Sequence, residues 1–211
     1  MHQAVEQILE KRIRRTMDAL RANNMEAYYV KTAAEVRAFV EQLVPAGATV
    51  SNGGSVSLAE TGVMELLAGG RYHYLDRSKV QGDELAALYR QVFSADWYFA
   101  SANAVTEAGE IYNVDGNANR VAAITFGPKN VLLVVGCNKL VKDMPAAEER
   151  VRQIAAPANV LRVGSKTPCA VTGKCEACHS PGRICCTAVV HRYQREQGRI
   201  KVLLVGEPLG F

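Results

Sequence analysis

The feature that most constrains this chain is an alternation of short apolar runs with segments of helical period. Val131 to Val135 is an unbroken apolar run of strand length, the composition of a strand covered on both faces. Similar runs at Tyr28 to Val30, Ala48 to Ser51, Arg71 to Leu75, Trp97 to Ser101, Ile111 to Val114, Val160 to Val163 and Val202 to Val205 read as further strands. Between them, Val5, Ile8, Leu9, Ile13, Met17 and Leu20 recur at helical spacing and stop at Asn23-Asn24. Thr32 and Glu35 form a capping box ahead of Val36, Phe39, Val40 and Leu43. Ser57 to Leu67, Asp83 to Phe93, Ala146 to Ile154 and Thr187 to Gln197 read as helices. Strands alternating with helices predict an α/β fold, a mostly parallel open sheet with helices on both faces. At 211 residues the chain is expected to form a single α/β domain over 1–211.

Hydrophobic residues are 48% and charged residues 22% of the chain, the balance of a globular protein. The formal net charge is +4, and the one dense basic cluster, Lys11, Arg12, Arg14 and Arg15, lies within a helical pattern. A solvated helix face accounts for that cluster, so no nucleic-acid partner is expected. Charged residues interrupt the N-terminal stretch where a signal peptide needs an apolar core. No apolar run is long enough for a membrane span, and a cytoplasmic location is expected.

Cytoplasmic thiols are kept reduced. Disulfides therefore account poorly for five cysteines within the 18 residues from 169 to 186, and metal ligation accounts for them better. The segment KTPCAVTGKCEACHSPGRICCT at 166 to 187 places five residues between Cys169 and Cys175, two between Cys175 and Cys178, and six between Cys178 and Cys185. Two thiolates separated by two residues reach one centre from a single turn. Pro168, Gly173, Pro181 and Gly182 supply the turns. Cys169, Cys175 and Cys178 are the expected ligands; the fourth is Cys185, with Cys186 or His179 as alternatives. Zinc and a four-iron cluster each take four such ligands, so the count leaves the metal open.

Two further stretches carry candidate chemistry. Asn52, Gly53, Gly54 and Ser55 connect a predicted strand to a predicted helix, where backbone N–H groups can hold an anion. The sequence from Ala100 to Arg120 places Thr106, Glu107, Asn119 and Arg120 after a strand end, the ligand-binding side of open α/β sheets. Glu107 is the candidate catalytic base or nucleophile, and Arg120 the candidate clamp for a carboxylate or phosphate. Cys137, after the run VLLVVG, is a candidate reactive thiol, with Lys139 beside it near an anionic ligand.

Three stretches resemble the lactate-utilisation, or LUD domain, family: SNGGSVSLAETG at 51 to 62, ADWYFASANAVTEAGEIYNVDGNANRVAAITFGPKNVLLVVGCNKLVKD at 95 to 143, and TPCAVTGKCEACHSPGRICC at 167 to 186. The resemblance implies a fold like that of sugar-phosphate isomerases and CoA transferases, with the cysteine segment as a metal loop over 166–187. It also implies a redox-associated role in using lactate or another small organic acid, with an iron–sulfur cluster or zinc. The partners expected are a small anionic or carboxylate ligand, an iron–sulfur protein and a second copy of the chain. The alternatives are an enzyme acting on a phosphorylated sugar or acyl-CoA through Glu107, and a non-catalytic subunit with a structural zinc loop.

Overall fold

A computed structural model of the chain describes residues 2–211. Helix α1 (Gln3–Ala22) leads into strand β1 (Glu26–Val30), α2 (Ala34–Leu43) and β2 (Thr49–Asn52). The helical stretch that follows is broken into α3 (Val56–Glu60) and α4 (Val63–Ala68) by Gly62, which is left-handed with φ 68°. Next come β3 (His73–Tyr74), α5 (Gly82–Gln91) and β4 (Trp97–Ala100). A hairpin of β5 (Ala104–Thr106) and β6 (Ile111–Asp115) precedes α6 (Asn119–Phe126) and β7 (Asn130–Gly136). Then follow β8 (Leu140–Val141), α7 (Met144–Arg150), a π-helical stretch Val151–Ala155 and α8 (Ala156–Val163). The chain finishes through α9 (Pro168–Thr172), β9 (Thr187–His191) and β10 (Ile200–Val205).

The main sheet has six strands in the order β1-β10-β7-β4-β2-β3, all parallel. Along β7, Val131, Leu133 and Val135 enter a core with Ile13 and Leu20 of α1, while Leu132 and Val134 enter a second core with Val36 and Val40 of α2 and Leu58 of α3. The period of two thus divides one apolar strand between two helical layers. From β2 the chain runs through α3 and α4 on one face to β3; it returns through α5 and the turn bearing Val92 on the other face to β4. Both crossovers obey the right-handed rule only if they leave in opposite directions. That makes the C-terminal ends of β2 and β4 the switch point, where a crevice opens.

The expected mostly parallel sheet is present; a second sheet was not expected. It has four strands in the order β8-β5-β6-β9, with β5–β6 and β6–β9 antiparallel and β5–β8 parallel. A small core of Ala104, Tyr112, Ala147, Val151 and Ala155 joins it to the helix through α7 and the π stretch. Two element expectations are corrected here. Val160 to Val163 ends α8 rather than forming a strand, because only Val160 is buried, whereas Leu161 is 64% and Val163 48% exposed, a helical one-sided pattern. Thr187 to His191 is a strand, not a helix: Thr187, Val189 and Val190 are β-branched and pair with β6 from Asp115 to Ile111. Among the described residues no helix is long and apolar enough to cross a membrane.

Candidate functional site

Gly53 and Gly54 leave the end of β2 beside β4, and the space their missing side chains release is filled by arginines. A Cβ at Gly53 would stand 3.0 Å from Arg120 Cδ and 3.0 Å from Tyr98 Oη; one at Gly54 would stand 3.2 Å from Arg77 Nη2 and 3.8 Å from Arg162 Nη2. The Gly53 N–H is used within the sheet, donating to Phe99 O at 2.9 Å. Ser55 caps α3 by accepting from Leu58 N at 3.3 Å. The glycine loop therefore makes room for guanidinium groups, and the anion attraction expected of its backbone comes instead from side chains.

These groups open onto a cavity of about 280 Å³ at the switch point. Of the residues expected to bind a ligand, Gly54, Ser55, Asn119 and Arg120 line it. Asn52 is buried beneath, accepting from Tyr74 Oη at 2.6 Å, and Gly53 lies under Arg120. Thr106 is fully buried in the second sheet, where its hydroxyl accepts from Glu110 N at 3.1 Å. Glu107 lies outside the cavity, its carboxylate held at 2.7 Å by Arg12 and 3.4 Å by Arg15 of α1.

The cavity is electropositive. Arg77, Arg120, Lys139, Arg162 and Arg183 line it, and Asp115 is the one acidic side chain among its lining residues. Asp115 is already paired with Arg120 at 2.6 Å. All five Arg120 N–H donors are engaged: Nε with Asp115, one terminal nitrogen with Ser101 O and Asn113 Oδ1, the other with Asn103 Oδ1 and Val114 O. Arg120 is thus the knot that ties β4, β5 and β6 at the cavity wall, and no donor is left for a ligand. Arg77 and Arg162 have no carboxylate partner among the described residues. Burial and the neighbouring Arg77 charge hold the Arg162 pKa below its ordinary value. Arg162 donates from Nε and Nη2 to Asn159 Oδ1 at 2.9 and 2.6 Å, a neutral partner, so both positive charges remain open to an anion.

Lys139 is 3% exposed, and its Nζ donates to Ser57 Oγ at 2.9 Å and Ser101 Oγ at 3.0 Å. Burial, with repulsion from Arg150 and Arg120, brings its pKa down to about 7. Cys137, two residues before it, is half-buried, and burial pushes its thiol pKa up, away from thiolate reactivity.

Cys169, Cys175, Cys178 and Cys185 line a second, smaller cavity of about 30 Å³. His179 and Cys186 do not line it; both are exposed, and the Cys186 thiol donates to Arg183 O at 3.4 Å. Among the described residues no three His, Cys, Asp or Glu side chains stand close enough to share a metal ion. Arg183 donates to Cys178 O at 2.9 Å and to Cys185 O at 3.0 Å, bracing the loop from within. Arg183 and Ile184 also line the electropositive cavity, so the two cavities share a wall. Strand β9 fixes this wall: Cys186 N donates to Asp115 O at 2.9 Å, next to the Asp115 carboxylate that holds Arg120.

Arg77 and Arg162 were missed in the sequence. Arg77 follows the predicted strand at 71–75, where strand-end placement is a usable signal; Arg162 lay inside the segment misread as a strand. The model of the LUD domain matches residues 13–205. The chain belongs to the LUD domain family. A solved structure similar in fold to this LUD domain is the crystal structure of a DUF162 family protein from Deinococcus radiodurans. The two share 15% sequence identity with a TM-score of 0.54, over 93% of this chain and 98% of that one. No curated protein matches the chain.

Proposed function

We propose that this LUD domain protein has a redox-associated role in the use of lactate or another small organic acid, binding a small carboxylate between Arg77 and Arg162 beside a cysteine-held metal centre. The observation that carries this reading is the shared wall: Arg183 and Ile184 face the electropositive cavity on one side and the four cysteines on the other. Two guanidinium groups without a carboxylate partner at a crevice of about 280 Å³ suit a ligand of a few heavy atoms with one or two negative charges.

The donor types suit a metal, but the thiols do not converge in this structure, so holding a single ion requires the loop to draw them together. Four thiols around one small cavity are a chemistry common to zinc and iron–sulfur sites. The cavity of about 30 Å³ has room for a single ion; a cluster requires the loop to open. When bound, a cluster supplies electron transfer, and zinc supplies a closed structural tie. Arg183 would hold the loop in either case. The alternative chemistry on a phosphorylated sugar or acyl-CoA through Glu107 has less support, since that carboxylate is ion-paired outside the cavity.

The test is anaerobic purification followed by elemental analysis, a visible spectrum and thermal melts with L-lactate and oxalate. Iron and sulfide with a broad absorption that dithionite bleaches, together with a raised melting temperature, are expected. Stoichiometric zinc in a colourless protein would remove the redox role and leave the zinc-loop subunit. No response to either acid would remove the carboxylate site.

A further inference from the structure

Anion binding leaves one group in the cavity without a role. Lys139 ends the short turn that follows β7, and it reaches the switch point from beneath. Its hydrogen-bond partners, the hydroxyls of Ser57 and Ser101, are uncharged. No carboxylate lies within ion-pair distance among the described residues. A buried ammonium ion without a counter-charge is strongly disfavoured, so such a site favours the free amine. Arg150 and Arg120 press in the same direction, and burial with these two outweighs the opposing charge of Glu60 and brings the group to about 7. A hydroxyl or amide side chain would crosslink the two serines without that desolvation cost.

Two of the three Nζ positions are taken by the serines, and the lysine lines the cavity together with Ser101. A desolvated lysine held among cationic neighbours is a general arrangement for an amine nucleophile. A general base would have to keep the proton it gains against two guanidinium charges. A nucleophile needs only its lone pair. The positive charge of a protonated imine does need an anion nearby, and the one acidic side chain lining the site, Asp115, is already held by Arg120. A 2-oxo acid carries its carboxylate one bond from the reacting carbon and so brings that counter-charge with it.

We propose that Lys139 is the reacting amine of the cavity and forms an imine with a short 2-oxo acid whose carboxylate is drawn in by Arg77 and Arg162. This rests on the reading of the cavity as an anion site. The Nζ lone pair adds to the carbonyl carbon, forming a C–N bond as the C=O π bond opens. The carbinolamine then loses its oxygen with the two amine hydrogens as water, leaving C=N. No oxidant or reductant takes part. Ser101, at 3.0 Å from Nζ, is placed to pass a proton to the departing oxygen.

The test incubates the full chain with pyruvate and sodium cyanoborohydride, which reduces an imine to a stable secondary amine, and locates adducts by peptide mass mapping. Lys139 is expected to be labelled at least about tenfold faster than any surface lysine. Lys139→Met should lose that adduct, and Lys142→Met, an exposed neighbour, should label as the parent does. Labelling spread evenly over exposed lysines, or none at Lys139, overturns the proposal; the map of the parent chain decides this even if Lys139→Met fails to fold. Melts of the parent chain with oxalate separate the two readings. A raised melting temperature without a Lys139 adduct overturns the imine alone, whereas neither response overturns the anion site as well.

Discussion

The Arg120 guanidinium lies 2.6 Å from the Asp115 carboxylate, with the two side chains only 13% and 11% exposed. Its remaining donors reach Ser101 O, Asn103 Oδ1, Asn113 Oδ1 and Val114 O. Removing one partner of a buried, hydrogen-bonded pair leaves the other charge uncompensated. Arg120→Met is therefore expected to cost about 3–5 kcal/mol of stability, read as a lower midpoint in urea unfolding. A loss below about 1 kcal/mol would show that Arg120 is a ligand clamp rather than the structural knot described here.

Arg77 is the opposite case. It touches no carboxylate and stands against Gly54 at the cavity mouth. Arg77→Gln should leave urea stability within about 0.5 kcal/mol, as surface changes do. A hydrogen bond to a charged group contributes about 1.5–3 kcal/mol, so the affinity for oxalate by calorimetry should fall by roughly 10–100-fold. Unchanged affinity would move the anion site away from Arg77.

Glu107 pairs with Arg12 and Arg15 across the gap between the second sheet and α1, with its side chain 31% exposed. A pair at that exposure contributes at most about 1 kcal/mol. Glu107→Gln should therefore lower stability by less than that and leave oxalate binding unaltered. A large loss of binding in calorimetry would return Glu107 to the site.

The strands of the main sheet were legible because their apolar runs are continuous: β7 and β10 are buried on both faces, and nothing else explains such runs. The second sheet was not legible, because β5 has three residues and β8 two, too short to show a period. Strand β9 depends on the edge that β6 offers it, a tertiary fact that its local sequence does not state. In the candidate site, Gly54, Ser55, Asn119 and Arg120 were readable from their place after strand ends. The role of Arg120 was not: Ile111 to Val114 reads as a strand, but its pairing with β5, which brings Asn103 and Asp115 to one guanidinium, is a tertiary fact the sequence does not state. Glu107 stood out by chemistry alone, and its partners on α1 lie more than ninety residues away in sequence.

The cysteine loop is tied to the fold by few protein contacts: Cys175 N donates to Arg152 O at 3.2 Å, and Cys186 N donates to Asp115 O at 2.9 Å. Among its residues from 169 to 186 none is buried. With so little apolar burial, the metal centre proposed above would be what orders the loop. Cys175→Ser should lower metal affinity by more than about tenfold and expose residues 166–187 to limited proteolysis. The main sheet should keep its circular dichroism. A cleavage pattern like that of the parent chain would show that the loop holds itself.

Stability should also depend on pH through Lys139. An ordinary lysine, as in the unfolded chain, titrates at 10.5, whereas burial and the charges of Arg150 and Arg120 bring this one to about 7 in the fold. Below pH 7 both states bind the proton, and the full cost of burying the ammonium is present. Between 7 and 10.5 the unfolded chain holds a proton that the folded chain has released, so stability rises with pH. The slope from this one group is at most about 1.4 kcal/mol per pH unit. Lys139→Met removes the titration, so the difference in unfolding free energy between the parent and the variant should move in favour of the parent across that window. A difference that is flat with pH would mean that Lys139 remains an ammonium in the folded protein, and the cavity would then hold a fixed cation in place of an amine.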